Sequence, residues 1–238
     1  MTQFITSVFR IPTTVKINNY FPPAQKFLMF LLGIDLLFIA LHVYSFSLPV
    51  TDAGTLQLRL DMDFGYAEMF QYFQFCTSAL LLTILFFRQR KGIYLIWSLF
   101  FLVLFFDDAF AFHETFGGNL VNFFNIEAAL GLRAQDFGEL AIAGMLGATF
   151  VLPFTHALFL GERKTREVTL HLILIVGVLV FFGVGVDMVH SLFKDLPGSG
   201  ALTVIEDSGE MISGSLILCY CLCLHLRQNN LISSITKK

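Results

Sequence analysis

Six stretches of the chain are mostly apolar over lengths that suit a bilayer crossing, which takes about 20 residues of helix. They run over about 27–47, 68–87, 92–113, 139–160, 168–192 and 203–226. Between them the pattern changes. In TLQLRLDMDF (55–64), Leu56, Leu58, Leu60, Met62 and Phe64 alternate with other residues. That period predicts a short strand ribbon at the membrane surface. NLVNFFNIEAALGL (119–132) predicts an interfacial helix lying over the bundle, and LPGSG (196–200) a turn. The pattern therefore predicts an all-α polytopic membrane helix bundle with six transmembrane helices in one domain, 27–226. A segment 1–26 precedes it and a tail 227–238 follows. No internal repeat is visible.

Composition agrees. The chain has 238 residues, 56% of them hydrophobic, and only 14% are charged, against roughly 25% in a soluble domain. The formal net charge of −3 gives no reason to expect nucleic acid as a partner. The start, MTQFITSVFRIPTTVKINNYFPPAQK, has no short apolar core behind a basic leader, so no cleavable signal is expected. Cys76, Cys219, Cys221 and Cys223 have no metal-ribbon or disulfide spacing and read as small apolar helix residues.

The basic residues set the orientation. Arg10, Lys16 and Lys26 precede the first span; Arg88, Arg90 and Lys91 join the second to the third. Arg163, Lys164 and Arg166 join the fourth to the fifth, and Arg227, Lys237 and Lys238 follow the sixth. Of the 15 Lys and Arg, only Arg59, Arg133 and Lys194 fall on the other side. Both termini are expected in the cytoplasm by the positive-inside rule, and a bacterial inner (plasma) membrane is the expected location.

On that topology the acids gather at one end. The third span closes with FFDDAFAFHETF, carrying Asp107, Asp108, His113 and Glu114. The fifth closes with Asp187 and His190, and the sixth opens with Glu206, Asp207 and Glu210. Asp35 lies near mid-depth in the first span with His42 above it; Glu68 and Glu139 open the second and fourth. Helix spacing puts Asp187 near His190 and Glu206 near Glu210 on shared faces, and Asp107 in line with Glu114. Ionisable groups inside a membrane are costly and mark functional sites by default. Acids at helix starts also complement the helix dipole, which is the plainer role for Glu68, Glu139, Glu206 and Asp207. His156, His171 and His225 fall at the opposite surface and read as interfacial.

Three histidines from three spans among carboxylates suggest a metal site. A cation lets anionic ligands stay deprotonated where water is scarce. The expected ligands are Asp107, His113, Asp187, His190, Glu210 and His42, with Asp108 an alternative to Asp107. Glu114 or Glu206 is then the expected general base for a metal-bound water. The carboxylate excess favours a divalent transition metal such as iron, manganese or zinc over copper(I). Depth near one leaflet suggests a lipid or lipid-linked substrate.

FFDDAFAFHE followed by EDSGEM resembles a pattern of uncharacterised bacterial multi-span proteins, in which an apolar helix ends in paired acids and His-Glu and a later helix opens with paired acids. That resemblance implies no activity. A looser architectural likeness is to alkaline ceramidase-like membrane hydrolases, whose zinc site of Asp and His lies inside a helix bundle. Two function classes follow. One is a metal-dependent membrane-embedded hydrolase or oxidoreductase. The other is a cation- or proton-coupled transporter or sensor, since acid and His chains also relay protons.

Overall fold

The computed structural model describes residues 21–49, 53–193, 196 and 198–235. Arg10, Lys16, Lys194, Lys237 and Lys238, part of the charge pattern above, lie outside the described residues, as does most of the segment 1–26. The helices are α1 (Phe21–Ser45), α2 (Ala53–Leu56), α3 (Tyr66–Gln89), α4 (Gly92–Ala109), α5 (Phe112–Phe124), α6 (Ala134–Phe159), α7 (Arg163–Val180), α8 (Asp187–Phe193) and α9 (Ser199–Ile235). A π-helical stretch, Phe181–Val186, joins α7 to α8. Among the described residues, six segments are long and apolar enough to cross a membrane: Ala24–Ser45, Tyr66–Gln89, Gly92–Ala109, Ala134–Phe159, Arg163–Phe193 and Ser199–Arg227. The expected six-helix membrane fold is the observed one.

Lipid gives apolar helices no hydrophobic reason to associate, so contacts rest on close packing and on polar groups between helices. α9 is the central helix, packed on α1, α3, α7 and the π stretch. α3 pairs with α4, and α5 with α6. The α5–α6 crossing is backbone on backbone. A Cβ on Gly117 would meet Glu139 N at 2.7 Å, and one on Gly138 would collide with the Gly117 carbonyl.

One end of the bundle is basic and densely aromatic. Lys91, between α3 and α4, bonds Glu162, between α6 and α7, so both basic connections lie together. Beneath them Trp97 is fully buried, stacked on Phe154 with ring centroids 4.1 Å apart and on Phe101 at 5.8 Å.

Three sequence expectations change. First, 55–64 is not a strand, and there is none among the described residues. α2 and turns take its place, because the backbone finds local partners. Leu58 and Arg59 N–H donate to Thr55 and Leu56, and the Leu60 N–H donates to the His42 ring. Second, the third span stops at Ala109. Phe110 leaves helical geometry and Ala111 is left-handed at φ 47°. His113 and Glu114 therefore sit on α5, not in line with Asp107 along one helix. α5 ends at Phe124, so the interfacial helix lies earlier than 119–132. Third, α9 starts at Ser199. Glu206 and Asp207 lie two turns inside it, past the reach of the N-terminal dipole.

Candidate functional site

The tightest acidic group forms at the α4–α5 corner. Asp107 Oδ1 accepts the His113 backbone N–H at 3.0 Å, and Asp107 Oδ2 lies 3.1 Å from His113 Nδ1. The carboxylate thus caps the free N-terminus of α5 from the preceding helix and orients the imidazole at the same time. Ligand atoms of Asp107, Asp108 and His113 all lie within 4.8 Å of one another. That spread can close around one ion. The Asp107 bond holds the His113 imidazolium up to about 9. A metal must displace that proton before His113 can ligate. Glu114, next on α5, is raised by partial burial, the direction that suits a group exchanging protons near neutrality.

The other acids share this field at longer range. Asp108 is under the charges of Glu210, His113 and Glu68, and Glu210 under those of Asp187 and His113. Glu210 accepts from Gln71 Nε2 at 3.1 Å and lies against Gly183 of the π stretch, where a Cβ would collide with its Oε1. The wide π turn thus presents bare backbone to the carboxylate, in keeping with π segments elsewhere at functional sites.

His190 forms its own pair. Its Nδ1 lies 2.9 Å from Glu206 Oε2, and Thr203 Oγ1 is 3.2 Å from its Nε2. Asp187 lies in the field of Glu139, Asp136, His190 and Arg133. His42 is separate: it is buried, accepts from the Leu60 N–H at 3.0 Å and sits 3.9 Å from Asp61. Its ring thereby holds the 55–64 segment. At the helix starts, Glu68 accepts from the Phe64 N–H. Asp136 accepts from the Arg133 N–H at 2.8 Å in a capping box.

A groove of about 430 Å³ opens beside the Asp107 corner. Val103, Phe106, Phe112, Phe116, Ile142 and Leu146 line it, and Asp107 is the polar residue in its wall. Its size is within the range of small-molecule sites.

Sequence reasoning named Asp107, Asp108 and His113 but set them on one helix axis; the corner at Ala111 brings them together instead. It missed Gln71 and Thr203, which hold Glu210 and His190. Gln71 had a visible signal, being polar in an apolar span three residues before Gln74.

The fold and this cluster define an integral membrane helix bundle with one acidic, histidine-bearing end. The chain belongs to the family described as Domain of unknown function (DUF8692), which it matches over residues 29–225. No curated protein and no solved structure matches it, and no link to ceramidase-like hydrolases is shown.

Proposed function

We propose that this chain is a metal-dependent, membrane-embedded enzyme acting on a lipid or lipid-linked substrate. The observation that carries the reading is the close grouping of Asp107, Asp108 and His113 at the α4–α5 corner, beside an apolar groove whose lining includes Asp107. The three side chains offer two carboxylates and an imidazole, a donor set suited to a divalent transition metal such as iron, manganese or zinc. When bound, the ion would polarise a substrate oxygen or activate water. The chain's own residues do the rest. Asp107 fixes the His113 ring, and Glu210 supplies further negative charge, held by Gln71. Glu114 is the proposed general base, with Glu206 beside His190 the second candidate. Asp187 and His190, expected as ligands, would stand as a second group at the same end, with His190 paired to Glu206, and His42 holds the 55–64 segment instead. The groove, whose surface is almost wholly apolar, would admit an acyl or prenyl chain alongside the corner that carries Asp107. Hydrolysis and oxidation both fit this donor set.

We further propose that both termini face the cytoplasm of a bacterial inner membrane, on the basic asymmetry along the chain. The acidic end then faces outward. The alternative function, a cation- or proton-coupled transporter or sensor, draws on the same acids.

The test is elemental analysis of detergent-purified protein. Near-stoichiometric transition metal is expected, with sharp loss in Asp107→Asn and retention in His171→Ala. His171 bonds Tyr220 at 3.0 Å at the basic end. Added metal should raise the melting temperature, since a ligand at a hundredfold excess over Kd stabilises by about 2.7 kcal/mol. Absence of both metal and stabilisation would leave the transporter reading ahead.

A further inference from the structure

Asp35 is 1% exposed, and neither carboxylate oxygen has a hydrogen-bond partner of ordinary geometry among the described residues. It lies near the middle of its span, Ala24–Ser45. Beyond it toward the basic end, Leu31 packs with Leu218 and Cys219. Toward the acidic end, Phe38 and Ile39 pack on Leu60, Ala67 and Met211. A carboxylate between two apolar layers is among the costliest groups a membrane helix can carry.

The polar atoms around it are short of donors. Gln74 is fully buried; its Nε2 donates to Ser215 Oγ at 2.9 Å, while its Oε1 has no partner. Gly214 makes room for that amide, since a Cβ there would collide with Gln74 Oε1. The Ser215 hydroxyl faces Asp35 and, having accepted from Gln74, keeps its own hydrogen to donate. Asp35 Oδ1, Asp35 Oδ2 and Gln74 Oε1 remain three buried acceptors without a settled donor.

Among the described residues, burial and the Ser215 hydroxyl are what act on Asp35, with no charged neighbour beside them. α9 carries Glu210 toward the acidic end, held by Gln71, and Cys219 toward the basic end. α3 carries Glu68 at its first turn, and α1 itself carries His42 at its last. Among the described residues nothing cationic is there to balance an ionised Asp35.

We propose that Asp35, with Gln74 and Ser215, is a proton-binding site in the middle of the membrane, loaded from the acidic end. The carboxylate takes one proton from water on that side, becomes a neutral acid and supplies a donor to the acceptor set. One added proton removes the charge; a metal ion would need several more oxygens than these three residues offer. The route is given by α3. Gln71 and Gln74 lie three apart on neighbouring positions of one face, and they bond Glu210 and Ser215 in turn. Toward the basic end, the Leu31–Leu218 layer and the aromatic core close the path. This inference stands on α1, α3 and α9 and does not depend on metal at the Asp107 corner.

Infrared spectroscopy of reconstituted protein tests it. At neutral pH the spectrum should contain a protonated-carboxylic-acid carbonyl band that Asp35→Asn removes and Glu210→Gln leaves. On transfer to deuterated water the same band should shift, severalfold more slowly in Gln71→Leu than in the parent. Asp35→Asn mimics the neutral acid and should fold with an unchanged or higher melting temperature; if it fails to fold, Asp35→Glu should keep a band at a shifted frequency. A folded Asp35→Asn protein with the full set of bands would overturn the proposal. So would a sodium-dependent melting temperature lost in Asp35→Asn, which would make the occupant a metal cation. Equal exchange rates in Gln71→Leu would overturn the acidic-end route.

Discussion

At the basic end of the bundle, Trp97, Phe101 and Phe154 fill the space between α4 and α6 ring against ring. At the acidic end the same two helices, with α5 between them, hold Asp107, Asp108 and His113 beside an apolar groove. The first region is complete as it stands. Its apolar side chains need nothing further, and its charges lie outside at the connections. The second gathers like charges: several carboxylates share one field, with the imidazoles of His113 and His190 near them. Like charges at short range in low dielectric repel strongly unless a cation or protons join them. The difference separates a half that packs without help from a half that, on the proposed function, takes up a cation or protons.

The largest expected effect breaks the scaffold. Trp97 has no exposed surface, so Trp97→Ala should cost about 3–5 kcal/mol, the usual range for emptying a large aromatic site. Trp97→Phe should cost less than Trp97→Ala, because a ring still fills most of the site and Trp97 Nε1 has no partner to lose among the described residues. Equilibrium unfolding in detergent measures both. Metal content per folded molecule should not change. If it falls in Trp97→Phe, the two halves are coupled and the division is wrong.

The next effect enters the acidic half through the backbone. Gly183→Ala puts a methyl group where Glu210 Oε1 now lies. It should cost about 1–3 kcal/mol, the range for overpacking, and should move Glu210 off Gln71. A cost near zero would mean that the π stretch gives way easily and does not fix the carboxylate.

Legibility from sequence divides along the same line. The apolar half could be read directly: length and hydropathy alone mark six spans, because lipid demands long apolar helices and little else. The acidic half could be read for residue types but not for assembly. FFDDAFAFHETF looks like one continuous helix end, since its apolar residues do not change period at Ala111. The left-handed turn there comes with Asp107 capping α5 across the corner, a contact between residues six apart that the apolar period does not mark. The alternation in 55–64 misled for a similar reason. It has a strand period, but the bond that settles it comes from the His42 ring, 18 residues away. Glu206 and Asp207 looked like helix-start acids only because polar Ser199, Gly200 and Thr203 hid the first turn of α9.

A smaller effect sharpens the contrast through pH. In metal-free protein, Asp107 keeps His113 protonated up to about 9, above the ordinary 6.5. A raised pKa stabilises the fold fully below the ordinary value, and that stability is lost as pH rises through the raised one. The melting temperature should therefore fall between about pH 6.5 and 9, and His113→Gln should flatten this fall. Metal binding should release a proton in the same window. An unaltered profile in His113→Gln would show that the imidazole is neutral and the Asp107 contact electrostatically weak.

The smallest effect belongs to the charges of the basic end. Arg163 Nε and Glu167 Oε1 lie 2.8 Å apart, with side chains 76% and 38% exposed. Short as it is, this i,i+4 pair is wetted and free to move, and such pairs contribute only about 0.3–0.5 kcal/mol. Glu167→Ala should shift the unfolding free energy by no more than that, and added salt should erase the shift through screening. At the acidic end the same salt should not erase the effect of Asp107→Asn, because that carboxylate is 13% exposed and buried pairs are screened much less. The two substitutions, measured at low and high salt, compare one carboxylate at each end directly. Equal salt sensitivity would mean that the acidic end is as open to water as the basic surface, and that its carboxylates need no cation to stay charged.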